Sequence, residues 1–478
     1  MNYVTEGYEP KEVLKIFEDL CAIPHGSGNE AGIADYIEKF AAKRGLFSFR
    51  DEAGNMFVRK QATEGYEDKP ALLLQGHMDM VCEKNADSDH DFLTDGLKLF
   101  IKDGFLWADG TTLGGDDGIA VAMMLALLDT DKHPTLECLF TVEEETGLAG
   151  AESFDASPVT AKQMINLDSE EEEQITAGCA GGVRADVCFD LPRVDREEGE
   201  ICLKISITGL AGGHSGTDIN SGKSNANVLM GRLLGSIYEK TKFRLISLTG
   251  GGKDNAIARE CFAKIAVKDD KRAALDALYE SSSIKKELAA DDKGFTVNID
   301  ITGEDLRPTT TETTERILAF LACARTGVLK MSNDIKGLVE FSRNLGVINT
   351  YDDKLELIFS ARSSLEAQLD LSVREMNSLS ALAGADCRHY SRYPGWEYRP
   401  ESPLRDKYIA TYKKLYGKEP SVGVIHAGLE CGILSSKMPG LDIISIGPDA
   451  YDIHSPDEHL DIASTERIWK ALLAFVRE

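Results

Sequence analysis

Residues 71–79 read ALLLQGHMD. Ala71, Leu72, Leu73 and Leu74 follow Pro70 and have the pattern of a short strand buried on both faces, as strands of parallel sheets are. His77 and Asp79 come at its carboxyl end, and open α/β sheets bind ligands beyond the carboxyl ends of their strands. At this spacing His77 can bind a metal ion while Asp79 accepts the other imidazole N–H and sets the tautomer. H-x-D alone is weak, because a histidine at a strand end more often serves as a hydrogen-bonded structural residue.

Recurrence along the chain strengthens the metal reading. The loop 110–118, GTTLGGDDG, carries Asp116 and Asp117 and leads into a helix predicted over 119–128. The strand-like run 136–142, LECLFTV, ends in Glu143, Glu144 and Glu145. The run 164–168, MINLD, ends in Asp168, and DIISIG at 442–447 is followed by a loop carrying His454 in HSPDEH. A capped turn or a solvated acidic face explains any one of these clusters, but not their repeated placement at strand exits. His25 and His90 lack that context and are read as structural and loop residues.

The totals bound the class. A chain of 478 residues is too long for one ordinary core, so two or three domains are expected. With 42% hydrophobic and 28% charged residues it has the composition of a soluble globular protein. A net charge of −27 argues against nucleic acid or an anionic membrane as partner and suits an acidic site that gathers divalent cations. No apolar run reaches the roughly 18 residues of a membrane span, and the opening MNYVTEGYEP has no signal-peptide pattern. The cysteines include no C-x-x-C pair, and Cys138, Cys202 and Cys323 lie in apolar runs, which reads as buried, reduced thiols of a cytoplasmic protein.

Helices are predicted over 11–21 and 30–44, with the break IPHGSGNE between them and Gly45 ending the second. After Asp168 the charge run SEEEE, read as solvated surface, and the glycines 178, 181 and 182 mark a boundary near residue 182. Strands then alternate with helices predicted over 224–240, 271–288 and 313–326, and a strand over 355–364. A second boundary falls at YPGW (393–396), after which a helix over 402–416 and the strand before His454 follow. The implied architecture is an α/β domain of residues 1–182 and 396–478, its mainly parallel sheet flanked by helices, interrupted by an α+β domain of 183–395.

His77, Asp116, Glu144, Glu145, Asp168 and His454 supply two imidazoles and enough carboxylates for a pair of divalent ions with one carboxylate to spare. Zn²⁺ accepts this mixture of N and O ligands, and Mn²⁺ or Co²⁺ could substitute. Two ions sharing a carboxylate can activate water and polarise a carbonyl, and the spare glutamate is then the natural general base.

HMD, GGDDG, EEETG, NLD and HSPDE, in this order, resemble the metallopeptidase family that includes bacterial glutamate carboxypeptidase, tripeptidase T and the cytosolic dipeptidases. GCAGG, GGHSGTDI (212–219), NAIARE (255–260), ARSS (361–364), YPGW and HAGLECG (426–432) resemble its aminoacyl-histidine dipeptidase (peptidase D) branch. The likeness covers essentially the whole chain. It implies a zinc-exopeptidase-like fold with an inserted lid domain and a di-zinc dipeptidase acting on unsubstituted dipeptides, Xaa-His and β-alanyl-histidine included. A tripeptidase or N-acyl-amino-acid deacylase is the alternative. Carried over by motif, it implies His77 and Asp168 on one ion, Glu145 and His454 on the other, Asp116 bridging, Glu144 as general base and Asp79 orienting His77. The family pattern E-E-x-G is met only by Glu144, Glu145, Thr146 and Gly147, and Asp117 is left to cap the following helix. In the inserted domain His214, Asn255 and Arg362 match substrate-binding positions, with Arg362 suited to a terminal carboxylate and His214 to an oxyanion. His426 and Glu430 are expected to line the same pocket. A homodimer through the lid domain is implied by family likeness alone.

Overall fold

The computed structural model describes residues 3–304 and 306–478. The chain divides into two compact units, one built from the residues up to Gly178 with Trp396–Val424 and Leu429–Glu478, the other from Cys179–Gly395 with Ile425–Gly428.

The first unit holds an eight-stranded sheet in the order Phe47–Arg50, Met56–Lys60, Leu136–Thr141, Leu72–His77, Gln163–Asn166, Asp442–Ser445, Gln174–Cys179, Ser421–Ile425. Its four central strands run parallel, and the described pairings flanking them are antiparallel. Leu72–His77 lies inside this sheet with every residue buried, which is why its sequence shows no alternation. Register then aligns the exits: His77 pairs with Thr141, and Gln75 with Asn166, so Glu144, Glu145 and Asp168 leave the sheet beside His77. The helix Gly115–Leu128 is buried from Gly118 to Leu128, as expected of a segment apolar all round. Helices Lys11–Cys21 and Ile462–Arg477 pack Phe17, Ile468 and Leu472 into the same core. A separate four-stranded sheet joins Ala450–Tyr451 and His459–Asp461 to Phe105–Ala108 and Leu99–Lys102, and so brings the loop holding His454 against the start of 110–118.

The second unit is a nine-stranded sheet whose described pairings are antiparallel, with helices Ala226–Lys240, Asp270–Ile284, Thr311–Cys323 and Glu366–Ala383. Leu203, Leu233, Phe320 and Phe359 form its core. Three of its helices start on side-chain caps, Asn225, Asp269 and Thr310, which move the starts by a residue or two from the predicted ones. The helix predicted over 271–288 stops at Ile284.

Two readings need correction here. Gln174–Cys179, which runs from the charge run into the boundary glycines and for which no element is predicted, is a strand of the first sheet, buried from Ile175 to Cys179. Cys138 and Cys202 are buried, but Cys323 is exposed, because it ends its helix instead of facing the core.

Candidate active site

The side chains leaving the parallel strands of the first unit converge. Asp116 directs Oδ1 to His77 Nε2 at 3.0 Å and Oδ2 to His454 Nε2 at 3.2 Å. Asp168 Oδ1 stands 3.7 Å from His77 Nε2, and Glu145 Oε1 2.8 Å from His454 Nε2. Two donor groups therefore share Asp116, with His77 and Asp168 on one side and His454 and Glu145 on the other. Both imidazoles are drawn toward the protonated form. Burial alone would lower His77, yet Asp116 and Asp79 raise it well above the ordinary histidine value. Hydrogen bonds to Asp116 and Glu145 push His454 up to about 10. A set of carboxylates strong enough to hold protons on two imidazoles has the donor chemistry that divalent cations take up, with N and O ligands at a spacing that suits two ions.

Asp79 does more than orient His77. The nearer acceptor of His77 Nδ1–H is the Asp79 backbone carbonyl at 3.0 Å, the carboxylate lying at 3.4 Å. That carboxylate accepts the amides of Glu144 and Glu145 at 3.1 and 3.2 Å and the Ser27 hydroxyl at 2.8 Å, so it holds the acidic loop as well. Burial pushes Glu144 up to about 8, the carboxylates of Glu430, Glu145 and Asp116 adding to it against His77.

Asp117 does not cap the helix. Asp116 and Asp117, joined by a cis peptide bond, have non-helical backbone angles, and the Asp117 carboxylate turns inward to accept the His77 amide at 3.1 Å. It also lies close enough to His77 and Asp168 to offer a ligand atom. Because its Oδ2 is already engaged by a backbone N–H, Asp116, with both oxygens on imidazoles, is the better shared ligand. Glu430 corrects the pocket reading: it is completely buried, and its Oε2 accepts from Gln75 Nε2 at 2.5 Å and Thr141 Oγ1 at 2.7 Å. It braces the strand that carries His77 to the one that leads to Glu144. Burial pushes its carboxyl up to about 7.

Glu458 has no role in the sequence reading, although it lies in the quoted HSPDE. Its Oε2 accepts the amides of Leu113 and Gly114 at 2.7 and 3.1 Å, and its Oε1 those of Gly115 and Asp116 at 2.8 and 3.4 Å. A row of amides waiting for one carboxylate is a property of the folded loop and leaves no mark in composition.

In the second unit, the paired short strands Gly213–His214 and Ala256–Ile257 set His214 beside Asn255, whose carbonyl accepts the Ser215 amide at 2.8 Å. His426 is buried and its Nε2 meets Ser342 Oγ at 2.7 Å. Burial, then the charges of Arg362 and His214, push its imidazole down to about 3. Burial and Arg362 lower His214 as well. Arg362, His214 and His426 thus form one cluster with a guanidinium at its heart, suited to an anion.

Residues 73–478 match peptidase family M20/M25/M40. The chain is 38% identical over 473 residues to the cytosol non-specific dipeptidase of Escherichia coli K12, covering 98% of each. Among solved structures it is similar to the aminoacylhistidine dipeptidase of Vibrio alginolyticus, with a TM-score of 0.93 and 35% identity over 98% of this chain and 97% of that one. The aminopeptidase PepT of Bacillus cereus shares the fold at a TM-score of 0.58 and 17% identity, over 98% of each chain. No described helix is long and apolar enough to cross a membrane. By its sequence, the strands that carry its acidic loops and its match to these relatives, the chain belongs to peptidase family M20/M25/M40.

Proposed function

We propose that this chain is a cytoplasmic dipeptidase of its family that hydrolyses unsubstituted dipeptides, with Xaa-His and β-alanyl-histidine among its substrates. His77 and Asp168 would hold one zinc ion, Glu145 and His454 a second, and Asp116 would touch both. When bound, the ions supply Lewis-acid polarisation of the scissile carbonyl and a more acidic water. Glu144, the carboxylate outside that ligand set, takes the proton of the attacking water and passes it to the leaving amine. Asp79 holds Glu144 in place through its amide. His214 donates to the developing oxyanion, and Arg362 takes the substrate's terminal carboxylate, with Asn255 and His426 completing that recognition. The first unit is then the catalytic domain, and the second a substrate-binding domain that also carries a homodimer contact.

What supports this reading most is Asp116, whose two oxygens meet the imidazoles of His77 and His454 separately. The names of the two similar dipeptidases support the substrate class. The test is hydrolysis of a dipeptide panel before and after chelation, with zinc, manganese and cobalt added back singly. Activity should vanish on chelation and return most fully with zinc, and the N-acetylated dipeptides should be poor substrates. Full activity in a metal-free preparation would overturn the reading.

A further inference from the structure

Four residues stand in one row across the antiparallel sheet of the second unit. Ser342 pairs with Arg362, Arg362 with Gly182, and Gly182 with Tyr393. Arg362 and Tyr393 are therefore separated by a whole strand, yet Arg362 Nη1 donates to Tyr393 Oη at 3.1 Å. Gly182 makes this possible. A Cβ there would lie 2.7 Å from Cε1, Cζ and Oη of Tyr393, so the phenol occupies the space a side chain would fill. On another side Gly428 leaves a similar gap, where a Cβ would lie 2.9 Å from Tyr393 Cε2. The ring is seated between two glycines and reaches over the middle strand to the guanidinium.

The direction of that hydrogen bond decides what the phenol can do. Arginine has donors only, so Tyr393 Oη must accept, and its own proton remains free to be given elsewhere. Arg362 Nε is buried and unpartnered among the described residues, a second donor awaiting an acceptor. The imidazoles of His214 and His426 feel the same guanidinium. From these donors we infer that Tyr393 is a specificity-determining residue: its O–H and Arg362 together bind the free carboxylate of the substrate's carboxyl terminus, and so select peptides that end there. This rests on the dipeptidase reading and adds to it the group that distinguishes an acid from an amide.

The experiment uses the full-length protein loaded with zinc and two probes, L-alanyl-L-alanine and its C-terminal amide. Hydrolysis of the free dipeptide by the unaltered enzyme reports on the dipeptidase reading by itself. Selection is measured separately, by calorimetric binding of both probes to E144Q, which does not depend on turnover. The acid should bind more tightly than the amide by about tenfold to a hundredfold, the range for a charge-assisted hydrogen bond. In E144Q/Y393F that preference should shrink toward parity through weaker binding of the acid, with the amide unchanged. In the otherwise unaltered enzyme, Y393F should raise KM for the acid by a similar factor and leave kcat within about twofold. G182A, which crowds the phenol from its seat, should reproduce the loss of preference. Equal binding of acid and amide to E144Q, or an undiminished preference in E144Q/Y393F, would overturn the assignment even if the unaltered enzyme hydrolyses dipeptides well. A purely structural role for Tyr393 would weaken both probes alike.

Discussion

Glu458 accepts the backbone amide of Asp116 from 342 positions along the chain. The same carboxylate also gathers the amides of Leu113, Gly114 and Gly115, so the loop that presents Asp116 is shaped by one side chain from the other end of the catalytic sequence. Supporting groups of this kind fix the direction of ligand oxygens, and their loss typically costs 10- to 100-fold in metal affinity. E458A should bind zinc about 10- to 100-fold more weakly in competition with a chromogenic chelator, and E458Q should fall between, since its amide oxygen still accepts. Unchanged affinity in E458A would show that the loop holds its shape without it.

Glu144 is the carboxylate that stands outside the shared-ligand arrangement. E144Q should keep its metal content by elemental analysis, while kcat on a dipeptide drops about a hundred- to ten-thousand-fold, the usual worth of a positioned general base. Loss of metal together with activity would instead make Glu144 a ligand.

The acidic run after Asp168 contains a structural residue. Glu172 is buried and accepts from Tyr412 Oη at 2.8 Å and from Arg467 Nη2 at 2.6 Å. Burial would raise its carboxyl, but the bonds from Arg467 and Tyr412 bring it below its ordinary 4.5. Its stabilising effect is thus complete above about pH 4.5 and lost as pH falls further. R467M leaves this acceptor short of donors and should cost about 1–3 kcal/mol in urea unfolding at neutral pH, with KM for a dipeptide unaltered. A changed KM with unchanged stability would instead give Glu172 a part in substrate selection.

His426 gives a pH dependence of the opposite chemical type. Its folded value of about 3 lies below the ordinary 6.5, so the unfolded chain binds a proton that the folded chain refuses. Stability from the neutral imidazole is whole above about pH 6.5 and declines as pH falls toward about 3. Within that window its share of the slope is about 1.4 kcal/mol per pH unit. H426Q, which can still meet the Ser342 hydroxyl, should unfold in urea with a shallower dependence on acid pH. Parallel curves for the two proteins would mean that His426 takes its proton while folded.

The acidic strand exits were legible because a buried parallel strand must be apolar throughout and must end abruptly, as ALLLQGHMD does. Register then follows from sheet pairing, and with it the meeting of His77, Glu145 and Asp168. What sequence hides is partnership at a distance. Asp117 looked like a helix cap because it precedes an apolar helix, but the backbone around it is not helical and the His77 amide claims it. Glu430 looked like a pocket residue because it sits in a distinctive motif, yet it is buried against Gln75 and Thr141. Tyr393 reads as part of a turn at YPGW, and only the pairing of both Arg362 and Tyr393 with Gly182 reveals its reach.

His454 meets Asp116 from 338 positions further along the chain, delivered by a hairpin that adds strands to a sheet begun near Phe105. At a synthesis rate of ~5–20 residues per second, the second imidazole emerges roughly 20–70 seconds after the shared aspartate. Throughout that interval the growing polypeptide carries its acidic cluster without the residue that closes it. The donor set built around Asp116 therefore stays incomplete until the hairpin that carries His454 has been made, so metal-dependent activity has to wait for nearly the whole chain.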